Sequence, residues 1–152
     1  MGTITPCLWF DGRVGEAVEF YTTLFPNSSI DRIDTTGPDG DVFMAHITVA
    51  GQSMQLLNGG PQFPFTEAVS FVYPCHGQDE LDMFWNALIA DGGEEGNCGW
   101  LRDKFGLSWQ IIPDNMGELL GNQAAMDAMF AMKKLDIAGL VSARDSLSGE
   151  AN

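Results

Sequence analysis

The sequence predicts an α+β fold made of two β-α-β-β-β modules followed by C-terminal helices. Its two halves share the pattern Gly-x-Ser, a large residue, Gln and two aliphatic residues, found at residues 51–57 and 106–112. Upstream of each copy, a short apolar run leads through a turn into a helical pattern with an aromatic pair, Phe20-Tyr21 or Phe84-Trp85. Such self-similarity indicates one structural plan used twice, and a length of 152 residues suits a single domain.

The elements of the first module follow from residue spacing and turn signals. Residues 5–10 are predicted to form the first strand, and apolar residues then recur at helical spacing until Pro26 ends the helix. Three strands are predicted at about residues 29–35, 42–50 and 53–57, because strand formers there are separated by turn residues. A loop near Gly59-Gly60-Pro61 joins the modules.

The second module repeats this order. Its opening strand is predicted at residues 69–73, and short strands are predicted around residues 95–100 and 107–112. Between them lies a helix that Asp91-Gly92-Gly93 terminates; its apolar stripe is Leu81, Phe84, Trp85 and Leu88. One helix covers only one face of a four-stranded sheet, so we expect the two modules to be related by an approximate two-fold axis that closes the other faces into a ligand cleft.

The pattern changes to helices after Pro113. A methionine and phenylalanine stripe predicts a helix with a docking surface, and Lys133-Lys134 suit its C-terminal end. Asp136 is predicted to cap a last helix whose inward residues are Ile137, Leu140 and Val141. The expected organisation is a single domain over residues 1–145, with modules at about 4–60 and 67–113, C-terminal helices at about 122–144 and a frayed tail at 146–152.

Composition excludes several classes of partner. The chain is 45% hydrophobic and 18% charged, which is not typical of a disordered protein. Its net charge of −14 would repel phosphate backbones and anionic lipids, so neither nucleic acid nor a membrane is an expected partner. The chain shows no basic leader and no apolar run of about 20 residues, which favours a cytoplasmic location. Three widely spaced cysteines favour reduced thiols over disulfides or a zinc cluster.

Several short strings resemble one known family. They are LWFDG at residues 8–12, NGGP at 58–61, CGW at 98–100, DKFG at 103–106, SWQIIP at 108–113 and MKKLDI at 132–137. Together they resemble the PhnB-like, or 3-demethylubiquinone-9 3-methyltransferase-like, branch of the vicinal-oxygen-chelate superfamily of glyoxalases, extradiol dioxygenases and bleomycin-resistance proteins. The resemblance extends from about residue 5 to residue 143. It implies a partly open barrel of the glyoxalase/bleomycin-resistance type, and it implies dimers.

The resemblance also implies where a metal would bind. In the metal enzymes of the superfamily, ligands come from the first and fourth strands of each module, and the matching positions here are Pro6, Gln55, Ser70 and Gln110. Proline has no ligand atom, serine is a poor neutral ligand, and two amide oxygens do not balance a dication. We therefore expect no metal and no other cofactor.

A candidate binding cleft remains, although no catalytic residue can be assigned. Its predicted residues are Leu8, His46, Gln55, Leu57, Ser70, Trp100, Asp103 and Gln110. The two glutamines could offer amide donors and acceptors to a polar ligand or could tie neighbouring loops together. His46 could be a hydrogen-bonded, half-buried side chain or a cleft acid or base. Asp103 could also be a turn cap, whereas Cys7 and Cys75 suit small apolar fillers and His76 a solvated loop.

Three functions are consistent with these features: binding of a small molecule in a metal-free cleft, catalysis of the glyoxalase or dioxygenase type at an atypical metal site, and a structural or interaction role. Methyl transfer on a Rossmann-type cofactor site is not expected, because the glycine pairs at residues 59–60 and 92–93 do not lie between a strand and a helix. A homodimer is expected, because apolar residues lie outside the two module cores. They are Phe63, Phe65, Met126, Met129 and Phe130.

Overall fold

Each half of the chain folds into a four-stranded sheet with one helix packed on it. The computed structural model describes residues 1–146. Its chain divides into a first unit, Met1–Phe65, and a second unit that begins at Thr66. The strand orders are equivalent, β1-β4-β3-β2 and β5-β8-β7-β6, so the predicted internal repeat and the α+β class of two β-α-β-β-β modules are confirmed.

The first unit has the predicted elements in the predicted order. They are β1 (Cys7–Phe10), α1 (Val14–Leu24), β2 (Ser29–Thr36), β3 (Asp41–Val49) and β4 (Gln52–Asn58). Strand β1 runs parallel to β4, whereas β3 pairs antiparallel with both β4 and β2. Pro26 follows the end of α1 directly after Phe25, whose backbone is already extended. A proline cannot continue a helix, so this boundary is where the sequence predicted it.

The second unit repeats the same topology with shorter strands. Its elements are β5 (Ser70–Cys75), α2 (Gly77–Ile89), a 3-10 turn (Ala90–Gly92), β6 (Glu94–Glu95), β7 (Trp100–Arg102) and β8 (Ser108–Pro113). The short strands predicted around residues 95–100 are β6 and β7, which a loop at residues 96–99 separates. Cys98 and Gly99 adopt positive φ angles of 58° and 85°. Their amides donate to the carbonyls of Met132 and Lys133, both at 2.8 Å, and the Gly99 carbonyl accepts from the Ile111 amide of β8 at 2.8 Å, so this loop joins the C-terminal segment to the sheet.

Equivalent glycines begin the fourth strand of each module. Gly51 and Gly106 have φ angles of 84° and 87°. An L side chain disfavours this left-handed region, whereas glycine adopts it without steric cost. The Gly-x-Ser pattern is therefore repeated because both modules have a left-handed turn at this position.

The cores lie between each helix and one face of its sheet. The buried residues of α2 are the predicted stripe, Leu81, Phe84, Trp85 and Leu88. Helix α1 packs in the same way on β3 and β4, where Ala45, Ile47 and Leu56 are almost fully buried. Full burial of a large apolar side chain contributes roughly 1.5–3 kcal/mol. Each helix is thus held by an apolar stripe.

Three helices follow the second sheet: α3 (Met116–Leu119), α4 (Gln123–Phe130) and α5 (Ile137–Ser146). The Asp136 carboxylate accepts a hydrogen bond from the Gly139 amide at 3.2 Å, which confirms the predicted cap of α5. On α4, Met126 and Phe130 of the predicted stripe are exposed, and Ala125 is the buried residue. Helix α4 also ends before Lys133-Lys134. The tail predicted to fray comprises residues 146–152. Its first residue, Ser146, is the last residue of α5, and residues 147–152 lie outside the described residues.

Candidate functional site

A row of four polar side chains crosses the face of the first sheet that α1 does not cover. Cys7 pairs with Gln55, Gln55 pairs with His46, and His46 pairs with Arg32. Paired residues on neighbouring strands carry their side chains on the same side of a sheet. The row therefore spans all four strands, and it includes two of the predicted site residues, His46 and Gln55.

Leu8 does not belong to this face, which corrects its place among the predicted site residues. It is only 6% exposed and pairs with the buried Leu56. Since side chains alternate along a strand, Leu8 points toward α1, whereas Trp9 and Leu57 are paired on the uncovered face. Cys7 and Arg32 are the members of the polar row that the sequence did not identify. Only the register of β1 and β2 against their neighbours could have indicated them.

His46 is hydrogen-bonded by two side chains of β2. Its Nε2 lies 2.8 Å from Arg32 Nη2 and 3.3 Å from Asp34 Oδ2. A guanidinium only donates and a carboxylate only accepts, so unprotonated Nε2 accepts from Arg32 and protonated Nε2 donates to Asp34. Hydrogen bonding to Arg32 also holds the pKa of Asp34 below its ordinary value. This geometry favours the hydrogen-bonded histidine over a free acid or base.

The thiols of Cys7 and Cys75 are not activated as nucleophiles. Burial raises the pKa of the Cys75 thiol to about 12, and partial loss of hydration also raises the pKa of Cys7. A nucleophilic cysteine requires a lowered pKa, because the thiolate is the reactive species. Cys75 is the buried filler that the sequence predicted, whereas Cys7 lies exposed at the edge of the polar row.

On the second sheet, Gln110 occupies the position equivalent to Gln55. It pairs with Val72 on β5 and Trp100 on β7, so the indole of Trp100 and the amide of Gln110 share the face away from α2. Gln110 Nε2 donates to Ser70 Oγ at 3.0 Å. The structure therefore places Ser70, Trp100 and Gln110 together on one face.

Asp103 is not on that face, and its carboxylate has a structural role. The residue is 2% exposed. Oδ1 accepts hydrogen bonds from the amides of Phe105 and Leu107 at 2.9 and 3.1 Å, and Oδ2 accepts from Trp109 Nε1 at 2.9 Å. These bonds close the turn between β7 and β8, which is the turn role that the sequence also allowed. Asp103 is therefore corrected from a ligand contact to a residue that positions β7 and β8.

His76 lies outside both faces. Its side chain is 91% exposed, and Nδ1 lies 2.9 Å from Asp114 Oδ2. The hydrogen bond to Asp114 raises the pKa of His76. It is the solvated loop residue that the sequence predicted.

The positions where metal enzymes of this fold carry ligands do not fit a divalent ion. Within residues 1–146, no three histidine, cysteine, aspartate or glutamate side chains are placed to hold one. The Ser70 hydroxyl is a weak neutral metal ligand, and its oxygen already accepts a hydrogen bond from Gln110. Divalent ions prefer carboxylates, imidazoles or thiolates, so these residues do not form a metal site of the usual kind.

The paired sheets and their strand orders define a protein of the glyoxalase/bleomycin-resistance fold. The family model described as 3-demethylubiquinone-9 3-methyltransferase matches residues 2–112, and the chain belongs to this PhnB-like family. The PhnB protein of Bacillus cereus is 31% identical, with a TM-score of 0.68, and the match covers 74% of this chain and 99% of that one. The predicted family resemblance is thus confirmed.

More distant solved structures show the fold alone. Protein PA1353 of Pseudomonas aeruginosa is 20% identical, with a TM-score of 0.57, over 72% of this chain and 95% of that one. The fosfomycin resistance protein FosX of Listeria monocytogenes, solved with Mn(II) and sulfate, is 12% identical, with a TM-score of 0.54, over 77% of this chain and 93% of that one. No curated protein is significantly similar to the chain.

No helix within residues 1–146 has both the length and the apolar character that crossing a membrane requires.

Proposed function

We propose that this PhnB-like protein binds a small organic molecule on the uncovered faces of its sheets, without a resident metal. The observation that carries the proposal is the equivalent placement of Gln55 and Gln110. Each is a half-buried amide on the fourth strand of its module; Gln55 lies between Cys7 and His46, and Gln110 lies between Val72 and Trp100. An amide offers two donors and an acceptor in such a setting, which suits recognition of a polar ligand.

The hydrogen bonding of these amides supports a ligand over a purely structural role. The Gln55 side chain has no hydrogen-bond partner among residues 1–146, so it does not tie loops together there. Gln110 bonds only through its amide nitrogen, to Ser70. Polar groups on a partly buried surface are stabilised by a partner, and a bound polar molecule would supply one.

Methyl transfer is not part of this proposal, although the family carries that name. A dinucleotide-type cofactor site uses a glycine-rich turn that leads from a strand into a helix. Here Gly59 and Gly60 follow β4 in a loop, and Gly92 and Gly93 follow α2. Neither pair precedes a helix in that way. The three free cysteines support a reducing compartment, and we place the protein in the cytoplasm.

Native mass spectrometry of protein purified from cells tests the binding function. We expect a non-covalent adduct of small mass, which Gln55→Leu and Gln110→Leu reduce, since leucine preserves volume but removes all amide hydrogen bonds. Gln52→Leu is the matched control, because Gln52 lies on the same strand but with the opposite side-chain direction. The proposal fails if no adduct forms and if a screen of small polar compounds shifts no amide resonance of either face.

Purified protein is expected to contain no stoichiometric Ni, Zn, Fe or Mn, because Pro6, Gln55, Ser70 and Gln110 are neutral. Elemental analysis of protein prepared without chelator would measure this. A value near one equivalent per chain that disappears in Gln55→Ala or Gln110→Ala would contradict the metal-free site and support the atypical metal enzyme instead.

We also expect the protein to form a homodimer. Phe130 is 59% exposed and Phe63 is 64% exposed, which leaves aromatic surface that a two-fold partner could cover. Sedimentation at micromolar concentration should give twice the chain mass of 16.5 kDa. Phe130→Asp should shift the protein toward the single-chain mass, whereas Met83→Asp, on the exposed side of α2, should not. A single-chain mass for the unaltered protein would disprove the dimer.

A further inference from the structure

A pocket of about 170 Å³ lies beside the outer strands of the second sheet. Its lining comes from β6, β7, β8 and the segment before β5, and it combines charged groups with a larger apolar surface. The lining residues are Glu67, Glu94, Glu95, Gly96, Trp100, Leu101, Arg102 and Ser108. A cavity of about 150 Å³ holds a benzene molecule, so this pocket has room for about six non-hydrogen atoms.

One polar atom of this pocket is buried without a partner. Ser108 is completely buried, and its Oγ makes no hydrogen bond with any residue of the described part of the chain. It belongs to a cross-strand row in which Ser108 pairs with Arg102, and Arg102 pairs with Glu94. Buried hydroxyls are nearly always hydrogen-bonded, so an orphan hydroxyl in a pocket lining points to a ligand atom beside it.

The charges around the pocket indicate the sign of that ligand. Three glutamates and one arginine line it. Arg102 is bonded to Glu94, and its Nε also lies 3.7 Å from Glu67 Oε1, so one guanidinium serves two carboxylates. Glu95 accepts a hydrogen bond from Trp85 Nε1 at 3.3 Å, a neutral donor. An anion entering here would meet an excess of carboxylates, whereas a cation would balance them.

The remaining lining suits a cation as well. The indole of Trp100 provides an aromatic face, and aromatic faces attract ammonium groups. Ser108 Oγ has acceptor lone pairs free for an N–H donor. Carboxylate, hydroxyl and aromatic ring are thus together in one small space.

We propose that this pocket binds the ammonium group of a small organic amine. The N–H groups donate to Ser108 Oγ and to the Glu94 or Glu67 carboxylate, and the carbon chain packs against Trp100. This proposal rests on the small-molecule-binding function, because the pocket lies on the same face of the sheet as Gln110, and it specifies the chemical class of the ligand.

Titration of ¹⁵N-labelled protein with three matched probes at pH 7 tests the proposal. The probes are n-butylamine, which is protonated at this pH, neutral 1-butanol and anionic butyrate. We expect n-butylamine to shift the amide resonances of Glu94, Arg102 and Ser108 saturably, with an affinity that falls as salt is added. Saturable shifts of these resonances by butyrate, or equal shifts by 1-butanol, would overturn the assignment of a cation.

Three variants connect the binding to individual groups. Ser108→Ala should weaken n-butylamine binding about tenfold, the usual effect of a hydrogen bond to a charged group, and should raise the melting temperature of the free protein, because the orphan hydroxyl is removed. Glu94→Gln should weaken binding, and its exposed position keeps the test valid if Ser108→Ala does not fold. Arg102→Gln should strengthen binding, because it frees two carboxylates from their present partner.

The control and the contrary outcomes are distinct. Glu19→Gln makes the same charge change on the exposed side of α1 and should leave binding unchanged. Unaltered binding in Ser108→Ala, or weaker binding in Arg102→Gln, would overturn the proposal. If no amine binds but an anionic or neutral adduct is found on the native protein, the amine assignment fails while small-molecule binding stands. If no ligand of any class binds, the proposed function itself fails.

Discussion

Replacing Asp103 with alanine is expected to lower the free energy of unfolding by about 3–5 kcal/mol, the range for breaking a buried polar network. The carboxylate accepts hydrogen bonds from two backbone amides and from Trp109 Nε1, and it is almost completely buried. Alanine would leave these donors buried without an acceptor. Urea denaturation followed by tryptophan fluorescence would measure the change.

A conservative variant separates the hydrogen bonds from the loss of volume. Asparagine preserves the shape of Asp103 but has one oxygen, so one of the present acceptor contacts would become a contact between two donors. We expect Asp103→Asn to be less stable than the unaltered protein and more stable than Asp103→Ala. Asp39→Ala, in the exposed turn before β3, should change the free energy of unfolding by about 0.5 kcal/mol or less. An equally small effect of Asp103→Ala would contradict the structural role of the carboxylate.

The turn that Asp103 closes also positions the proposed amine pocket. Asp103 follows Arg102 directly, and the backbone amide of Asp103 donates a hydrogen bond to the carbonyl of Leu107 at 2.9 Å. Leu107 in turn directly precedes Ser108. Loosening this turn would change the separation of the guanidinium and the orphan hydroxyl. Folded Asp103→Asn should therefore bind n-butylamine more weakly than the unaltered protein, even though Asp103 does not line the pocket.

The second large effect is expected at Gly93, where alanine should lower the free energy of unfolding by about 2–3 kcal/mol through overpacking. A Cβ at this position would lie 2.5 Å from Ile89 Cα and 2.6 Å from the Leu88 carbonyl oxygen. Both are backbone atoms at the end of α2, so a side-chain rotation cannot relieve the clash. Thermal and urea denaturation would measure the effect.

Gly15 provides the matched control for this substitution. A Cβ at Gly15 would meet no atom within 4 Å, and the residue lies inside α1. Alanine is up to about 1 kcal/mol more favourable than glycine within a helix, so Gly15→Ala should stabilise the protein. The two Gly→Ala changes are thus expected to have opposite signs. If both substitutions changed the free energy of unfolding equally, a Cβ at residue 93 would not clash with the end of α2.

The sequence alone was sufficient for the repeat, the order of elements in the two modules and the apolar stripe of α2. The Gly-x-Ser pattern and the 3.6-residue spacing are local signals, and the residues that α2 buries are those its spacing predicted. Alternation along β4 also placed Gln55 and Leu57 on the same face, because the side-chain period of two is a property of the strand itself.

Only the tertiary structure decided which residues of different strands meet. Strand β1 has four residues, none of them charged, so its alternation could not show that Leu8 points to the helix and Cys7 to the polar row. The role of Asp103 depends on how the turn after β7 closes around its carboxylate. Likewise, the row of Glu94, Arg102 and Ser108 exists only through pairing between strands. Register between strands is a long-range property, set by packing and turn geometry together, and no local pattern encodes it.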